Sequence, residues 1–103
     1  SFVLVRHEPL DLEGFAQWLD LVVASQGEKL LRFKGLVQTA QSPGTPMVVH
    51  AVQHLFHPPE YLPAWPSEDH RTRLVFITRG MDREVLESTL DVMARRRSRR
   101  RPA

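Results

Sequence analysis

The stretch "VVHAVQHLFHPP", Val48 to Pro59, carries three of the chain's five histidines, at spacings of four and three. Its secondary structure decides the fold class. As a helix it would put His50 and His54 on one face, within reach of a shared metal ion. As a strand it would put them on one face about 13 Å apart, at roughly 3.3 Å of rise per residue, too far for one ion. The alternation favours the strand. Met47, Val49, Ala51, Gln53 and Leu55 form one set, apolar except for Gln53. Val48, His50, Val52, His54 and Phe56 form the other, mixed apolar and titratable. His57 falls at odd spacing from His54 and points to the other face unless a bulge intervenes. No metal site is expected from these histidines alone, and a site assembled with His7 or His70 stays open as the alternative.

Working outward, "LLRFKGLVQTA" (Leu30 to Ala40) also alternates. Leu31, Phe33, Gly35 and Val37 share one face, and Arg32, Lys34, Leu36 and Gln38 share the other, the pattern of a half-buried strand. "QSPGTP" reads as a turn, so the two strands are expected to form a hairpin. Upstream, "SFVLVRHEPL" is β-branched and aromatic and stops at Pro9, giving a first strand from Phe2 to His7. The period then changes. Leu12, Phe15, Trp18, Leu19, Val22 and Val23 recur at three and four, the stripe of an amphipathic helix. Asp11 is its expected N-cap and Gly27 its stop, while Gly14 costs it roughly 1 kcal/mol.

Downstream, "HPPEYLPAWPSEDHRT" is a proline-broken loop with Tyr61, Leu62 and Trp65 as its available anchors. Trp65 is also a candidate for contact with a partner. "TRLVFITRG" reads as a fourth strand. "MDREVLESTLDVMARRR" reads as a second helix, capped by Asp82, with Val85, Leu86, Leu90 and Met93 as its apolar stripe. The order β-α-β-β-β-α predicts an α+β fold, a four-stranded, mainly antiparallel sheet with both helices on one face. A parallel first β-α-β unit would cross over right-handed. The other face would then expose Arg32, Lys34, His50 and His54 among apolar residues, the composition of a surface that meets another domain or a partner. A solvated strand face is the competing account of Arg32 and Lys34.

The 103 residues suffice for one domain, and 42% hydrophobic with 25% charged residues is ordinary for a folded one. Residues 1–94 are expected to form that domain, followed by an arginine-rich tail over 95–103. The tail stretch "RRRSRRR", Arg95 to Arg101, accounts for the high pI; without it 8 basic residues face 12 acidic ones, a net of −4. A nucleic-acid binder would show its basic patch on the fold itself, so binding through the tail is only the alternative function. No apolar run approaches a membrane span, and no signal peptide opens the sequence. The initial Ser1 suggests either cleavage or a piece of a longer protein. Zero cysteines exclude disulfides, thiolate zinc sites and a cysteine nucleophile. There is no phosphate-cradling glycine loop, nucleophile elbow or paired-histidine zinc helix, so no catalytic residue and no cofactor-binding residue is assigned. Glu8, Asp11 and Glu13 cluster where a helix dipole accounts for them.

Four segments, "SFVLVRHEPLDLEGFAQWL", "LLRFKGLV", "VVHAVQHLFHPPEYLPAWP" and "RTRLVFITRGMDREVLESTL", together resemble the C-terminal domain of CobW-type GTPases over about residues 1–93. The "RFKG" strand, the tryptophan of the proline loop and "LVFITRGMD" before a helix carry the likeness through their order and spacing. The resemblance implies a parent with an N-terminal P-loop GTPase domain that binds GTP, magnesium and a transition metal, commonly zinc or cobalt. It implies metal insertion or chaperoning in the cytoplasm, in some relatives tied to cobalamin biosynthesis. The Walker lysine, the guanine-reading stretch and the cysteine metal motif belong to that other domain. The implied partners are that GTPase domain and a metalloprotein client. The histidine-rich segment of some relatives is replaced here by arginines.

Overall fold

The structure, a computed structural model, describes residues 1–53 and 55–95. The arginine tail beyond Arg95 and the interface candidate His54 lie outside the described residues. The order is β1 (Phe2–Arg6), α1 (Leu12–Gln26), β2 (Leu30–Thr39), β3 (Ser42–Val52), β4 (Leu55–Phe56), β5 (Glu60–Tyr61), β6 (Thr72–Thr78) and α2 (Arg83–Met93). The α+β class is as expected, but the sheet has six strands, because two short ones, β4 and β5, pair with β3 at its edge. The main order is β1-β6-β2-β3, with every pairing antiparallel. β1 and β2 therefore run parallel without touching, and β6 fills the gap between them.

Each helix begins where a carboxylate accepts orphan amide protons. Asp11 accepts from the Gly14 N–H, and Asp82 from those of Glu84 and Val85. Both helices bury their stripes against the same sheet face. Phe15, Trp18, Val22, Leu86 and Leu90 meet Leu4, Phe33, Val37, Met47, Val49, Ala51, Leu74 and Phe76 in one core. Phe76 is its hub. Its ring centroid lies 4.8 Å from that of Phe33, 5.1 Å from Phe2 and 6.2 Å from Trp18, the last edge-on. Trp18 is fully buried, and its indole N–H donates to Thr89 Oγ1 at 3.0 Å, so the burial leaves no polar atom unmatched. Val85, expected in the α2 stripe, is exposed instead. Its position in the helix turns it toward solvent, and its carbonyl accepts from the Thr89 hydroxyl that holds Trp18.

Three local expectations are corrected. The "SPGTP" residues are strand, and the turn is Ala40–Gln41, between paired Thr39 and Ser42. One β2 residue, Gln38, then faces four in β3, from Pro43 to Pro46, so the prolines sit where β3 arches off the ladder and no donor is needed. Second, Leu31 does not take the core position; a bulge between Leu30 and Arg32 gives that place to Leu30. From Phe33 on, the expected faces hold, with Phe33 and Val37 buried and Arg32 and Lys34 exposed. Third, "VVHAVQHLFHPP" is not one strand. β3 ends at Val52, and β4 returns along it with Val52 opposite Leu55 and Ala51 opposite Phe56. Gln53 enters the turn at φ 55°, in the left-handed region.

Candidate interaction face

The sheet surface away from the helices is set by register, since residues directly opposite on antiparallel strands point to the same side. Three rows result. Leu55, Val52, Arg32 and Ile77 form the first. His50, Lys34, Val75 and Val3 form the second. Glu60, Val48, Leu36, Arg73 and Val5 form the third. Val3, Val52 and Ile77 are each about two-fifths exposed and Leu55 is 69% exposed. A large apolar surface is thus left uncovered by the chain's own helices, with Arg32, Lys34 and Arg73 set into it.

The hairpin return brings together the histidines that a straight strand keeps apart. His57 donates its backbone N–H to the His50 carbonyl at 3.1 Å, and the two rings stack with centroids 4.2 Å apart and planes 11° from parallel. Among the described residues the paired histidines are therefore His50 and His57. Stacked rings hold their nitrogen lone pairs in two parallel planes, whereas a shared metal ion needs those lone pairs to converge. Among the described residues no group of three or more His, Asp or Glu side chains could hold a metal ion.

Trp65 closes one side of the face. Its indole N–H donates to the Pro43 carbonyl at 2.8 Å, and its ring stacks on His70 at 4.7 Å. The tryptophan is thus the anchor of the proline loop, and its half-buried rim borders a cavity of about 280 Å³ lined by Lys34, Leu36, Asp69, Arg71 and Arg73. Arg71 in that cavity is already matched. It donates to both oxygens of Asp69 at 2.9 Å, which holds the Asp69 carboxyl far below its ordinary range, with the Arg73 charge adding to the effect. A second groove, of about 450 Å³, runs along Arg32, Lys34, Val48 and His50.

Arg32, Lys34 and His50 were legible from alternation. Arg73, Val75 and Ile77 were missed, though the alternation of "TRLVFITRG" carries them on one side; what was lacking was the knowledge that β6 lies beside β2. His57 was missed because the turn at Gln53 lacks glycine or asparagine, the usual residues for φ above zero.

The outer edges of the sheet are blunted. On β1 the Val5 carbonyl accepts from Arg6 Nη1 at 2.7 Å and the Val3 carbonyl from Arg83 Nη2 at 3.4 Å. At the other edge β4 and β5 are only two residues each. No helix among the described residues is long and apolar enough to cross a membrane.

The sequence matches the family model described as "Cobalamin synthesis protein cobW C-terminal domain" over residues 1–94. No curated protein matches it. Among solved structures, the fold is similar to the Zn(II)-bound YjiA GTPase from E. coli, with a TM-score of 0.80 and 21% identity, over 89% of this chain and 28% of that one. A Zn(II)-bound triple mutant of YjiA GTPase matches with the same figures. The chain thus spans little more than a quarter of those proteins' length.

Proposed function

The chain belongs to the family of cobW C-terminal domains, and from that premise we propose that it is the noncatalytic interaction and regulatory domain of a CobW-like GTP-binding metal chaperone. The observation that carries this reading is the open sheet face, where Val3, Val52, Ile77 and Leu55 stay exposed although the helices could have covered only the other side. Several apolar side chains left exposed together on one face mark an interaction site. The similar structures belong to a zinc-bound GTPase of which this fold is a minor part, which supports a parent that handles GTP and a transition metal such as zinc or cobalt. The described residues of this chain do not fit such a metal, lacking both cysteines and a convergent ligand set. Nucleotide, magnesium and metal are therefore assigned to the rest of the parent, and delivery to a metalloprotein client, including a cobalamin-related one, to the whole protein.

In this reading the face docks the GTPase domain or the client, and nucleotide state changes what is exposed. That coupling requires the docked surface to differ between the two nucleotide states. The test is made in the full-length parent. Val75→Asp and Ile77→Asp on the open face should change the GTP hydrolysis rate or client binding, while Val92→Asp on the exposed side of α2 should not. Wild-type behaviour in both open-face variants would overturn the reading.

A further inference from the structure

We propose that the open sheet face docks an acidic polypeptide segment, with carboxylates interleaved among apolar side chains, across the diagonal of Arg32, Lys34 and Arg73. This rests on the reading of the face as the interaction surface and adds the chemistry of the occupant.

The first support is the setting of the three cations. Arg32 lies between Val52 and Ile77, Lys34 between His50 and Val75, and Arg73 between Leu36 and Val5. A strand face built only for solvent would place polar or oppositely charged residues across from them. The one carboxylate of the three rows, Glu60, stands at the far edge on β5. The second support is where the other ion pairs lie. Arg6 pairs with Glu87 and Asp91, Arg83 with Glu87, and Arg71 with Asp69. Among the described residues Arg32, Lys34 and Arg73 form no ion pair. The carboxylates of α1 and α2, such as Asp20, Glu84, Glu87 and Asp91, belong to the helical side. The folded body is thus divided by charge, negative over the helices and positive on the sheet, although its residues 1–94 sum to a negative net charge.

Shape restricts how such a segment can lie. With the β1 carbonyls taken by arginines and the opposite edge made of two-residue strands, backbone pairing at an edge is disfavoured. The grooves on either side of Lys34 and Leu36 lead across the face instead. The smaller one, under the Trp65 loop, has room for a carboxylate-bearing side chain beside Lys34 and Arg73, the Asp69 carboxylate that also lines it being held by Arg71. Carboxylates delivered there would form charge-assisted hydrogen bonds in a partly apolar setting, where such bonds are stronger than in open water. Phosphates could meet the same cations, but the exposed Val3, Val52, Leu55 and Ile77 between and around them call for apolar side chains as well, which a polypeptide carries and a phosphate backbone does not.

The test uses the whole chain and fluorescence anisotropy. The probes are a labelled peptide of about 12 residues interleaving Glu, Leu and Ser, its Gln-for-Glu counterpart, and a uridine RNA of similar length. The Glu peptide should bind, and weaken roughly tenfold or more between about 50 and 300 mM salt. The double variant Lys34→Glu with Arg73→Glu should lose at least about tenfold in affinity while keeping its melting temperature, both sites being exposed. Lys29→Glu, in the turn between α1 and β2, should bind as wild type. The arginine tail is common to all these proteins, so the difference reports the face alone. Equal binding of the Gln peptide would overturn the acidic occupant yet leave the docking face standing. Tighter binding of RNA, lost in the same double variant, would make the occupant a nucleic acid. Binding of no probe would overturn the inference, and the full-length comparison above would decide the docking face separately.

Discussion

At Gly14 the start of α1 closely approaches the end of α2. A Cβ there would lie 1.9 Å from the Met93 carbonyl oxygen. Helix propensity alone would favour alanine by roughly 1 kcal/mol, but overpacking against a backbone atom costs about 1–3 kcal/mol. Gly14→Ala is therefore expected to lower the urea midpoint, and a raised midpoint would exclude the close approach. The sequence displayed this glycine only as a weakness, because the reason for it is 79 positions away in the chain. Phe33 and Arg32 give the complementary test of register. Phe33→Ala should cost on the order of 3–5 kcal/mol as a core deletion, while Arg32→Ala should fall within about 0.5 kcal/mol. Reversed magnitudes would mean that the strand is slipped by one residue. Trp65 shows how a residue can be legible and still ambiguous. Its place in a proline loop announced an anchor or a partner contact, and the hydrogen bond to Pro43 supplies the first role while its rim borders the open face.

At the scale of elements, both helices, the four main strands and the β2–β3 hairpin were readable because their periods run long enough to be unambiguous, whereas the pairing of β6 with β1 and β2 was not. The bulge at Leu31, the arch from Pro43 to Pro46 and the return at Gln53 were not. Each depends on a partner strand rather than on local composition. The proline-rich turn signal was misleading for the same reason: prolines mark missing donors, and an arch off the ladder lacks them as a turn does. The join between β1 and α2 makes a pH prediction. Glu87 accepts from Arg6 at 3.0 Å and from Arg83 at 3.0 Å, and the Arg6 hydrogen bond is the main cause that lowers its carboxyl below the ordinary 4.5. A carboxylate whose folded pKa is depressed contributes stability that is fully present above its unfolded value and is lost as pH falls through the folded one. Glu87→Gln should therefore melt below wild type near pH 7, by a margin worth no more than about 1 kcal/mol for so exposed a network. The two melting temperatures should converge as the pH drops below about 4. A gap that persists in acid would assign the effect to packing instead.

For the whole molecule, the sequence has no phosphate-binding loop, so the purified chain is expected to hydrolyse no GTP above a mock-purified control. Turnover that co-elutes with the chain would overturn the noncatalytic assignment. The candidate face was half legible at this scale. Its β2 and β3 columns followed from alternation, but the β6 column, with Arg73, needed the strand order. That order has a consequence in time. β6, an interior strand between β1 and β2, is the last strand to be synthesised. The β2–β3 hairpin can form early from neighbouring residues, but β1 has no strand to pair with until β6 has emerged, some 70 residues later. Until then Phe33 and Trp18 lack Phe76, the ring on which they meet. A nascent chain that stops before Thr72 should therefore stay loose and prone to chaperone capture, and the finished one should fold at a rate governed by long loop closure rather than by helix formation.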